Sequence, residues 1–330
     1  MTGLARSQSR RGVLTAAAFL VAALSITPAP TASAGYRIVG TTGQVADIAR
    51  NVAGPRAEVG QLLAGGVDPH LYKLTRSDVA ILAGADVIFY NGLLLEGKMT
   101  DALVRVASTG KPVVAVTLGI PEELLLEPEE FEGAYDPHVW FDLGTWAYAV
   151  DEVARTLSAY DPEGAADYAA NAEAYKAEIL ELDAYTREVL ATVPEEARVL
   201  VTAHDAFNYF GRAYDFEVRG IQGLSTESQA GLREIEEIVS LLVDREIPAV
   251  FTEASVSDRN VRALIEGARA QGHDVILGGQ LFSDTPGAEG TWEGTYLGML
   301  DHNATTIALA LGGEAPPDGA RGLLGRVESN

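Results

Sequence analysis

The sequence contains no cysteine among its 330 residues. This absence excludes disulfides, thiolate metal ligands, thiol nucleophiles and a lipid anchor on an N-terminal cysteine. Basic residues are also scarce, with 24 lysines and arginines against 47 aspartates and glutamates, and the formal net charge is −23. We therefore expect no binding to nucleic acid, because that binding needs a basic surface. Any metal ligands must come from histidines and carboxylates.

Long apolar runs are missing as well, and the apolar stretch over residues 13–26 is too short to span a membrane comfortably. Three arginines precede this stretch, and Ala32-Ser33-Ala34 supplies the small residues that a signal peptidase accepts. The pattern predicts an export signal over residues 1–34, cleaved near Ala34/Gly35, and a mature protein that is periplasmic or secreted. The adjacent Arg10 and Arg11 fit either a twin-arginine or an ordinary secretory signal.

Strand and helix patterns alternate in two separate stretches of the chain. Such alternation predicts an α/β fold, in which parallel strands are covered by helices on both faces. In the first stretch, strands are predicted at 36–41, 58–63, 87–90 and 113–116, and helices at 44–52, 76–83, 98–107 and 144–160. In the second stretch, strands are predicted at 198–202, 217–221, 249–252 and 275–277, and helices at 205–214, 232–243, 259–270 and 296–311. We expect the Gly/Pro-rich tail after residue 311 to be loosely held.

The segment from residue 163 to residue 193 carries one apolar stripe at helical spacing. A helix of this length measures roughly 45 Å, which is more than a crossover between strands needs. The sequence thus predicts an N-terminal lobe at 35–160, a rigid linker helix at 161–195 and a C-terminal lobe at 196–330. The stripe consists of Tyr168, Ala172, Tyr175, Ile179, Leu182 and Val189.

Two of the five histidines occur in the same tripeptide, Asp-Pro-His, at 68–70 and 136–138. Proline stiffens both turns, which favours His70 and His138 as ligands. His204 follows the strand predicted at 198–202, and Asp284 follows the strand predicted at 275–277. Ligands in α/β sheets bind outside the carboxyl ends of the strands. Each half would then supply two metal-competent side chains to one site in the cleft between the lobes.

Seven motifs stand in the order found in the TroA/ZnuA-like (cluster A-I) metal-binding subunits of ABC importers, which the mature chain resembles throughout. The resemblance implies two Rossmann-like lobes joined by one long backbone helix, with a metal bound by His70, His138, His204 and Asp284. It also implies delivery of the metal to an ABC permease in the membrane, and we expect a monomer. The motifs are Gly-Val-Asp-Pro-His at 66–70, Ser-Asp-Val at 77–79, Ala-Asp-Val-Ile-Phe-Tyr-Asn-Gly at 85–92, Leu-Glu-Gly at 95–97, Asp-Pro-His-Val-Trp at 136–140, Thr-Ala-His-Asp-Ala-Phe at 202–207 and Tyr-Leu-Gly-Met at 296–299.

Three imidazoles and one carboxylate suit Zn²⁺, and also admit Mn²⁺ or, less well, Fe²⁺. Manganese-selective members of the family resemble one another in having glutamate at the position of His204, which favours zinc here. Against zinc, the acidic segment 121–135 contains no histidine, whereas many zinc members carry a histidine-rich flap. That segment is either a solvated loop or a weak cation-collecting flap.

Carboxylates beside the predicted ligands could orient the imidazoles, since a ligating histidine commonly donates its second N–H. Asp68 and Asp136 could equally accept the N–H groups of their own turns. Whether Asp205 and Glu253 lie at the site stays open at this point, and Glu253 could instead cap the next helix. The two remaining histidines are interpreted as a surface turn residue, His273, and a structural residue, His302.

Two other function classes compete with transport. A metal-binding surface adhesin or a metallochaperone would use the same fold and site. A zinc hydrolase needs an open coordination position for water. Four protein ligands leave no obvious vacancy, and no His-Glu-x-x-His or Gly-x-Ser-x-Gly motif is present. We therefore predict a binding protein and no enzyme.

Overall fold

The first half of the chain is built on a parallel sheet of strands that connect through helices. The computed structural model describes residues 1–3, 35–128, 133–227 and 230–326, so the predicted export signal lies almost entirely outside the described residues. The strands lie in the order β2, β1, β3, β4, with Ile38 of β1 opposite both Val59 and Val87. They are β1 (Tyr36–Gly40), β2 (Ala57–Gln61), β3 (Val87–Tyr90) and β4 (Val113–Ala115).

Helices of the first half begin where the sequence supplies capping groups. Thr75 caps the second of them through a capping box, in which Asp78 Oδ2 accepts the Thr75 N–H at 2.7 Å. Asp142 caps the fourth by accepting the Thr145 N–H at 3.0 Å. These helices are α1 (Gly43–Ala53), α2 (Arg76–Gly84), α3 (Thr100–Ala107) and α4 (Leu143–Tyr160).

The second half contains two parallel strand pairs, β5 with β6 and β7 with β8. Apolar side chains of β5 and β7 pack in one core with the helices around them. The strands are β5 (Val199–His204), β6 (Glu217–Gln222), β7 (Ala249–Glu253) and β8 (Ile276–Leu281). The helices are α6 (Asn208–Tyr214), α7 (Leu232–Asp244), α8 (Arg259–Ala270) and α9 (Tyr296–Ala310). The α/β class with parallel strands is confirmed.

Several boundaries differ from the prediction by one to four residues, and the largest differences lie next to the candidate site. His204 is still part of β5, and α6 begins only at Asn208, because a tight turn intervenes in which the Ala206 N–H donates to His204 O at 3.0 Å. β8 continues to Leu281, four residues beyond the predicted end. Pairing with β7, through a register shift at Val250/Phe251, overrides the weak strand preference of the two glycines in β8.

The long helix predicted between the halves is α5 (Ala165–Ala191), of 27 residues and roughly 40 Å. All six residues of the predicted apolar stripe are buried on it, and Ile179 is fully buried. The helix packs against α4 and α1 of the first half and α9 of the second. Helix α5 therefore packs against both halves of the chain.

The largest hydrophobic core is shared between the two halves. It joins Ile38 and Trp146 of the first half to Phe207 and Tyr296 of the second. By backbone contacts, the described residues from Gly35 to Arg326 form one compact unit. The lobe boundaries 35–160, 161–195 and 196–330 thus remain a prediction. Within the described ranges, no helix is both long and apolar enough to cross a membrane.

The segment 121–135 is anchored at its start against the second half of the chain. The Leu126 N–H donates to Tyr209 Oη at 2.9 Å, and Arg212 Nη1 donates to Leu124 O at 2.7 Å. Residues 129–132 of this segment lie outside the described residues. The described part of the predicted loop is thus fastened beside α6.

The prediction of a loosely held C-terminal tail was wrong for residues 320 and 321. The Ala320 N–H donates to the buried carboxylate of Asp301 at 2.8 Å. Arg321 forms an ion pair with Glu178 of α5 at 2.9 Å, and its guanidinium lies over the Trp292 ring at 5.4 Å. The tail returns to the molecule because these polar groups fix it.

Candidate metal centre

The four predicted ligands, His70, His138, His204 and Asp284, come together at one buried point. One donor atom from each lies within 4.8 Å of the others. His70 Nε2 is 3.4 Å from His138 Nε2, and Asp284 Oδ1 is 3.3 Å from His204 Nε2 and 3.5 Å from His138 Nε2. Three of the residues are fully buried and His70 is 6% exposed.

Segments that follow strands position three of these side chains, and a turn before a helix positions the fourth. His70 lies in the loop after β2, and His138 directly precedes the short turn Val139–Phe141 that leads into α4. His204 is the last residue of β5, and Asp284 follows the end of β8 by three residues. The site thus lies at the carboxyl ends of parallel strands, where ligands of open α/β sheets bind.

Asp136 orients the imidazole of His138. Its Oδ1 lies 2.7 Å from His138 Nδ1 and also accepts the His138 N–H at 2.9 Å, so both roles left open for this carboxylate are present. Because Nδ1 contacts Asp136, Nε2 is the ring nitrogen that faces the cluster and can bind a metal. Burial alone would lower the pKa of His138, but the carboxylates of Asp136 and Asp284 raise it to about 9.

Glu253, at the end of β7, orients the imidazole of His204. Its Oε2 is 2.5 Å from His204 Nδ1, and its Oε1 accepts the His204 N–H at 2.8 Å. Burial opposes protonation of His204, but Glu253 and then Asp284 raise its pKa well above the usual value. The sequence left open whether Glu253 lies at the site or caps the next helix, and the structure places it at the site.

Asp284 is positioned by Ser255, which sequence reasoning missed. Ser255 Oγ donates to Asp284 Oδ2 at 3.0 Å, which leaves Oδ1 directed at the histidines. Burial would raise the pKa of Asp284, but the neighbouring imidazoles, His204 first, hold it well below the usual range. The position of Ser255 two residues after the end of β7 was the available signal. Strand ends were considered only for histidines and acids.

Two donor atoms of the cluster have no hydrogen bond. In the described part of the chain, His204 Nε2 and Asp284 Oδ1 are buried and make no hydrogen bond, although they lie 3.3 Å from each other. An unsatisfied buried polar group costs about 1–3 kcal/mol, and more when it is charged. Such orphaned atoms, aimed at a common point, fit a site that a cation completes.

His70 differs from the other two histidines. Burial lowers the pKa of its imidazole to about 3, against the opposing effect of Asp284. Asp68 does not contact this imidazole; its Oδ1 accepts the backbone N–H of His70 at 2.8 Å and that of Leu71 at 3.3 Å. Asp68 therefore has the role of a turn residue that the sequence analysis allowed.

The remaining candidates lie outside the cluster. Asp205 accepts the Asn208 side-chain amide at 3.0 Å, and the same amide donates to Asp136 Oδ2 at 3.1 Å. His273 is partly buried, and its Nε2 lies 2.8 Å from Ile247 O. His302 Nε2 lies 2.9 Å from Gln280 O, and its ring packs against Phe282 at 4.8 Å. These two histidines fill structural positions.

Trp140 forms one wall of the site and connects the halves. Its ring lies 5.2 Å from the His138 ring, and its Nε1 donates to Ser283 O at 3.0 Å, next to Asp284. Tyr296 Oη of α9 donates to Trp140 O at 2.7 Å. The ligand loops of both halves are thus joined through one buried indole.

Known proteins resemble the chain over most of its length. The manganese-binding lipoprotein MntA of Bacillus subtilis is 46% identical over 308 residues, which cover 92% of this chain and 99% of MntA. The zinc-binding protein TroA of Treponema pallidum is 45% identical and covers 83% of this chain and 88% of its own. The solved structure of the periplasmic zinc-binding protein TroA matches with a TM-score of 0.81 at 44% identity, over 84% of this chain and 99% of that one. The two-lobed α/β prediction agrees with this structural match.

The name of MntA disagrees with one expectation from the sequence, because it describes a lipoprotein whereas the present chain has no cysteine to carry an anchor. The model of the family described as "ZnuA: Zinc-uptake complex component A periplasmic" matches residues 38–310. This match covers the strands, the linker helix and all four clustered residues. The chain therefore belongs to the ZnuA family of metal-binding ABC-importer subunits and not to a family of enzymes.

Proposed function

We propose that the protein captures a divalent transition metal, zinc first, through His70, His138, His204 and Asp284, and delivers it to an ABC permease. The observation that carries this proposal is the convergence of four buried donor atoms within 4.8 Å, two of them without a hydrogen bond. Neutral imidazoles and an ionised carboxylate are the forms that bind a metal. In this site the metal ion is the cargo.

The spacing of the donor atoms supports zinc. With bonds of roughly 2.0–2.2 Å, the donors of a tetrahedral zinc site lie about 3.3–3.6 Å apart. Three of the six donor separations are 3.3, 3.4 and 3.5 Å, the separation of His70 Nε2 from Asp284 Oδ1 is 3.9 Å, and all six lie within 4.8 Å. The affinity order of divalent metals at nitrogen and oxygen ligands also favours zinc over manganese and iron.

Manganese is the second candidate, since the relative MntA is named for it at 46% identity. Manganese prefers oxygen ligands. The cluster offers one carboxylate, and Ser255 already engages its second oxygen. A manganese site here would need further oxygen ligands from solvent.

Elemental analysis of protein purified from its native compartment, without added metal, tests the cargo. We expect about one zinc per chain, and in competition we expect Zn²⁺ to displace Mn²⁺. Protein that carries manganese and retains it against equimolar Zn²⁺ would overturn the choice of zinc. Protein whose His138→Ala variant binds either metal as well as the wild type would overturn the site itself.

Delivery to a permease separates transport from adhesion or simple metal storage. Cells that express the His138→Ala variant in place of the wild type should lose most uptake of radioactive zinc at low external zinc. His302→Ala, which changes a histidine outside the cluster, is the matched control. Normal uptake in the His138→Ala cells would favour the adhesin or metallochaperone reading.

We further propose that the mature chain acts outside the cytoplasm as a monomer of two lobes, without a lipid anchor. The predicted cleavage site near Ala34/Gly35 and the lack of cysteine support release of a soluble form. Mass spectrometry of the mature protein should find Gly35 as a free N-terminus, and light scattering should give the mass of one chain. A lipid-modified N-terminus or a stable dimer would contradict this part of the proposal.

A further inference from the structure

Three of the four clustered side chains are held by a polar partner of their own. Asp136 fixes His138, Glu253 fixes His204 and Ser255 fixes Asp284. Among the described residues, the His70 imidazole makes its polar contacts only with members of the cluster, at 3.4 Å from His138 and 3.9 Å from Asp284. It is also the only one of the four with any exposed surface. His70 is therefore the least restrained side of the site and the side nearest to solvent.

The position of His70 depends on its backbone turn, and this turn depends on Asp68. One oxygen of Asp68 accepts the His70 N–H at 2.8 Å. The other oxygen accepts the hydroxyl of Thr226 at 2.6 Å. Thr226 lies 158 residues later, in the loop after β6, and is 7% exposed. A residue of the second half thus fixes the turn that carries a ligand of the first half.

Neighbouring contacts close the same side of the site. The Gly66 N–H donates to Thr285 Oγ1 at 2.8 Å, directly beside Asp284. Lys98 forms an ion pair of 2.6 Å with Glu227, the residue after Thr226. The Lys98 side chain is 33% exposed and the Glu227 side chain 54%, so solvent screens this ion pair and it contributes little. The Thr226 to Asp68 hydrogen bond is part-buried and charge-assisted, so it is the stronger link.

We propose that Thr226 is a positioning residue for His70 and sets the rate at which the bound metal leaves on the His70 side. The inference rests on the proposed function and deepens it. When the Thr226 hydroxyl releases Asp68, the turn at residues 68–70 loses its connection to the second half. His70 then withdraws first, while the three partnered ligands keep their places. Breaking of the Thr226 to Asp68 hydrogen bond is thereby coupled to loss of the first metal–ligand bond.

Release of Zn²⁺ into excess chelator, followed by stopped flow, tests the inference. Thr226→Val removes the hydroxyl and keeps the shape, whereas Thr226→Ser keeps the hydroxyl and is the matched control. We expect Thr226→Val to raise the release rate about tenfold, as loss of a hydrogen bond to a charged group allows. Thr226→Ser should stay within about twofold of the wild type, because its donor is retained. A Thr226→Val protein that releases Zn²⁺ at the wild-type rate would overturn the inference.

A second pair of variants separates positioning from general damage to the fold. If Thr226 acts through Asp68, Asp68→Ala with Thr226→Val should release Zn²⁺ no faster than Asp68→Ala alone. Independent, additive effects of the two changes would contradict the inference. In metal-free thermal melting, Thr226→Val should lose no more stability than Asp68→Ala, which breaks the same hydrogen bond; a larger drop in Thr226→Val would show general damage to the fold and contradict the inference. Wild-type protein that binds no Zn²⁺ at all would instead refute the proposed function.

Discussion

At the scale of single residues, the site is defined by pairs. His138 and His204 each present Nε2 to the cluster because a carboxylate lies at hydrogen-bond distance from Nδ1. Such pairing fixes the ring orientation and raises the basicity of the donor nitrogen. The partners Asp136 and Glu253 are as necessary to the geometry as the ligands.

Removing the charge from either partner should weaken metal binding without removing a ligand. We expect Asp136→Asn and Glu253→Gln each to lower Zn²⁺ affinity about 10- to 100-fold, because the imidazole loses its orienting acceptor. Competition titration against a chelator of known affinity measures the change. Asp101→Asn, at an exposed carboxylate of α3, is the control and should bind nearly as the wild type does. Full affinity in Asp136→Asn would refute the role given to that pair.

Removing a ligand should abolish the stabilisation that metal gives to the fold. At a Zn²⁺ concentration of 100 times Kd, binding adds about 2.7 kcal/mol to the free energy of unfolding. His138→Ala should lose most of this gain, and His302→Ala should keep it. Chemical unfolding with and without Zn²⁺ measures the difference. An equal gain in wild type and His138→Ala would show that the metal binds elsewhere.

The four clustered positions were predictable, whereas not all of their polar partners were. The repeated Asp-Pro-His singled out His70 and His138, and the strands that precede His204 and Asp284 singled out those two. Glu253 lies 49 residues after His204. Their contact depends on β5 and β7 lying side by side, which no local pattern encodes. Thr226 escaped notice for the same reason, since its contact with Asp68 spans 158 residues.

At the scale of elements, regular apolar spacing predicted best and boundaries predicted least. The stripe on α5 is buried as its spacing indicates, from Tyr168 to Val189. The end of β8 was missed because its two glycines are poor strand formers that only pairing with β7 retains. Periodicity reports burial of a face, whereas the last residue of an element depends on neighbours distant in sequence.

Truncation of a buried residue on α5 should destabilise the fold strongly. Ile179→Ala should lower the free energy of unfolding by about 2–5 kcal/mol, since it leaves a cavity between packed helices. The next residue, Leu180, is 52% exposed, and Leu180→Ala should change the free energy by less than about 0.5 kcal/mol. Urea unfolding of both variants makes the comparison. Equal losses would mean that the helix does not present this face to the core.

Asp47 of α1 joins this helix to α5, since its Oδ2 accepts the Tyr175 hydroxyl at 2.5 Å. Burial raises the pKa of Asp47 above its usual value, despite the hydrogen bond from Tyr175 that lowers it. A folded pKa above the unfolded one contributes stability that is present below the unfolded pKa and is lost as the pH rises through the folded pKa. As the pH rises, ionisation of Asp47 therefore lowers the free energy of unfolding of the wild type.

Asp47→Asn cannot ionise and should gain stability relative to wild type as the pH rises from 4 to 8. Urea unfolding at several pH values measures this difference. Asp101→Asn, at an exposed position of α3, is the control and should show a flatter difference. A difference between Asp47→Asn and wild type that is independent of pH would show that Asp47 has the same pKa in the folded and unfolded chain.

At the scale of the whole molecule, the halves share their largest core and a 27-residue helix. Wide separation of the halves would break packing around Trp146 and Tyr296, which interiors resist. We therefore expect metal binding to produce small lobe rotations and local rearrangements, such as the one proposed for the turn at residues 68–70.

Small-angle X-ray scattering should detect little change in overall size on metal addition. For a mature chain of this length we expect a radius of gyration of about 19 Å in both states. A matched pair of samples, with excess chelator and with excess Zn²⁺, makes the comparison. A large contraction on Zn²⁺ addition would show a wide hinge motion and contradict the rigid linker.

The shared core also bears on how the newly made chain matures. Tyr296 and Ile307 of α9 complete the packing around residues of α4 and α5, so the core of the first half stays unfinished until nearly the whole chain has been synthesised. Domains that each have their own hydrophobic core can fold one after another during synthesis. Here the nascent chain would remain open late into translation, because the packing partners of α4 and α5 on α9 are synthesised last.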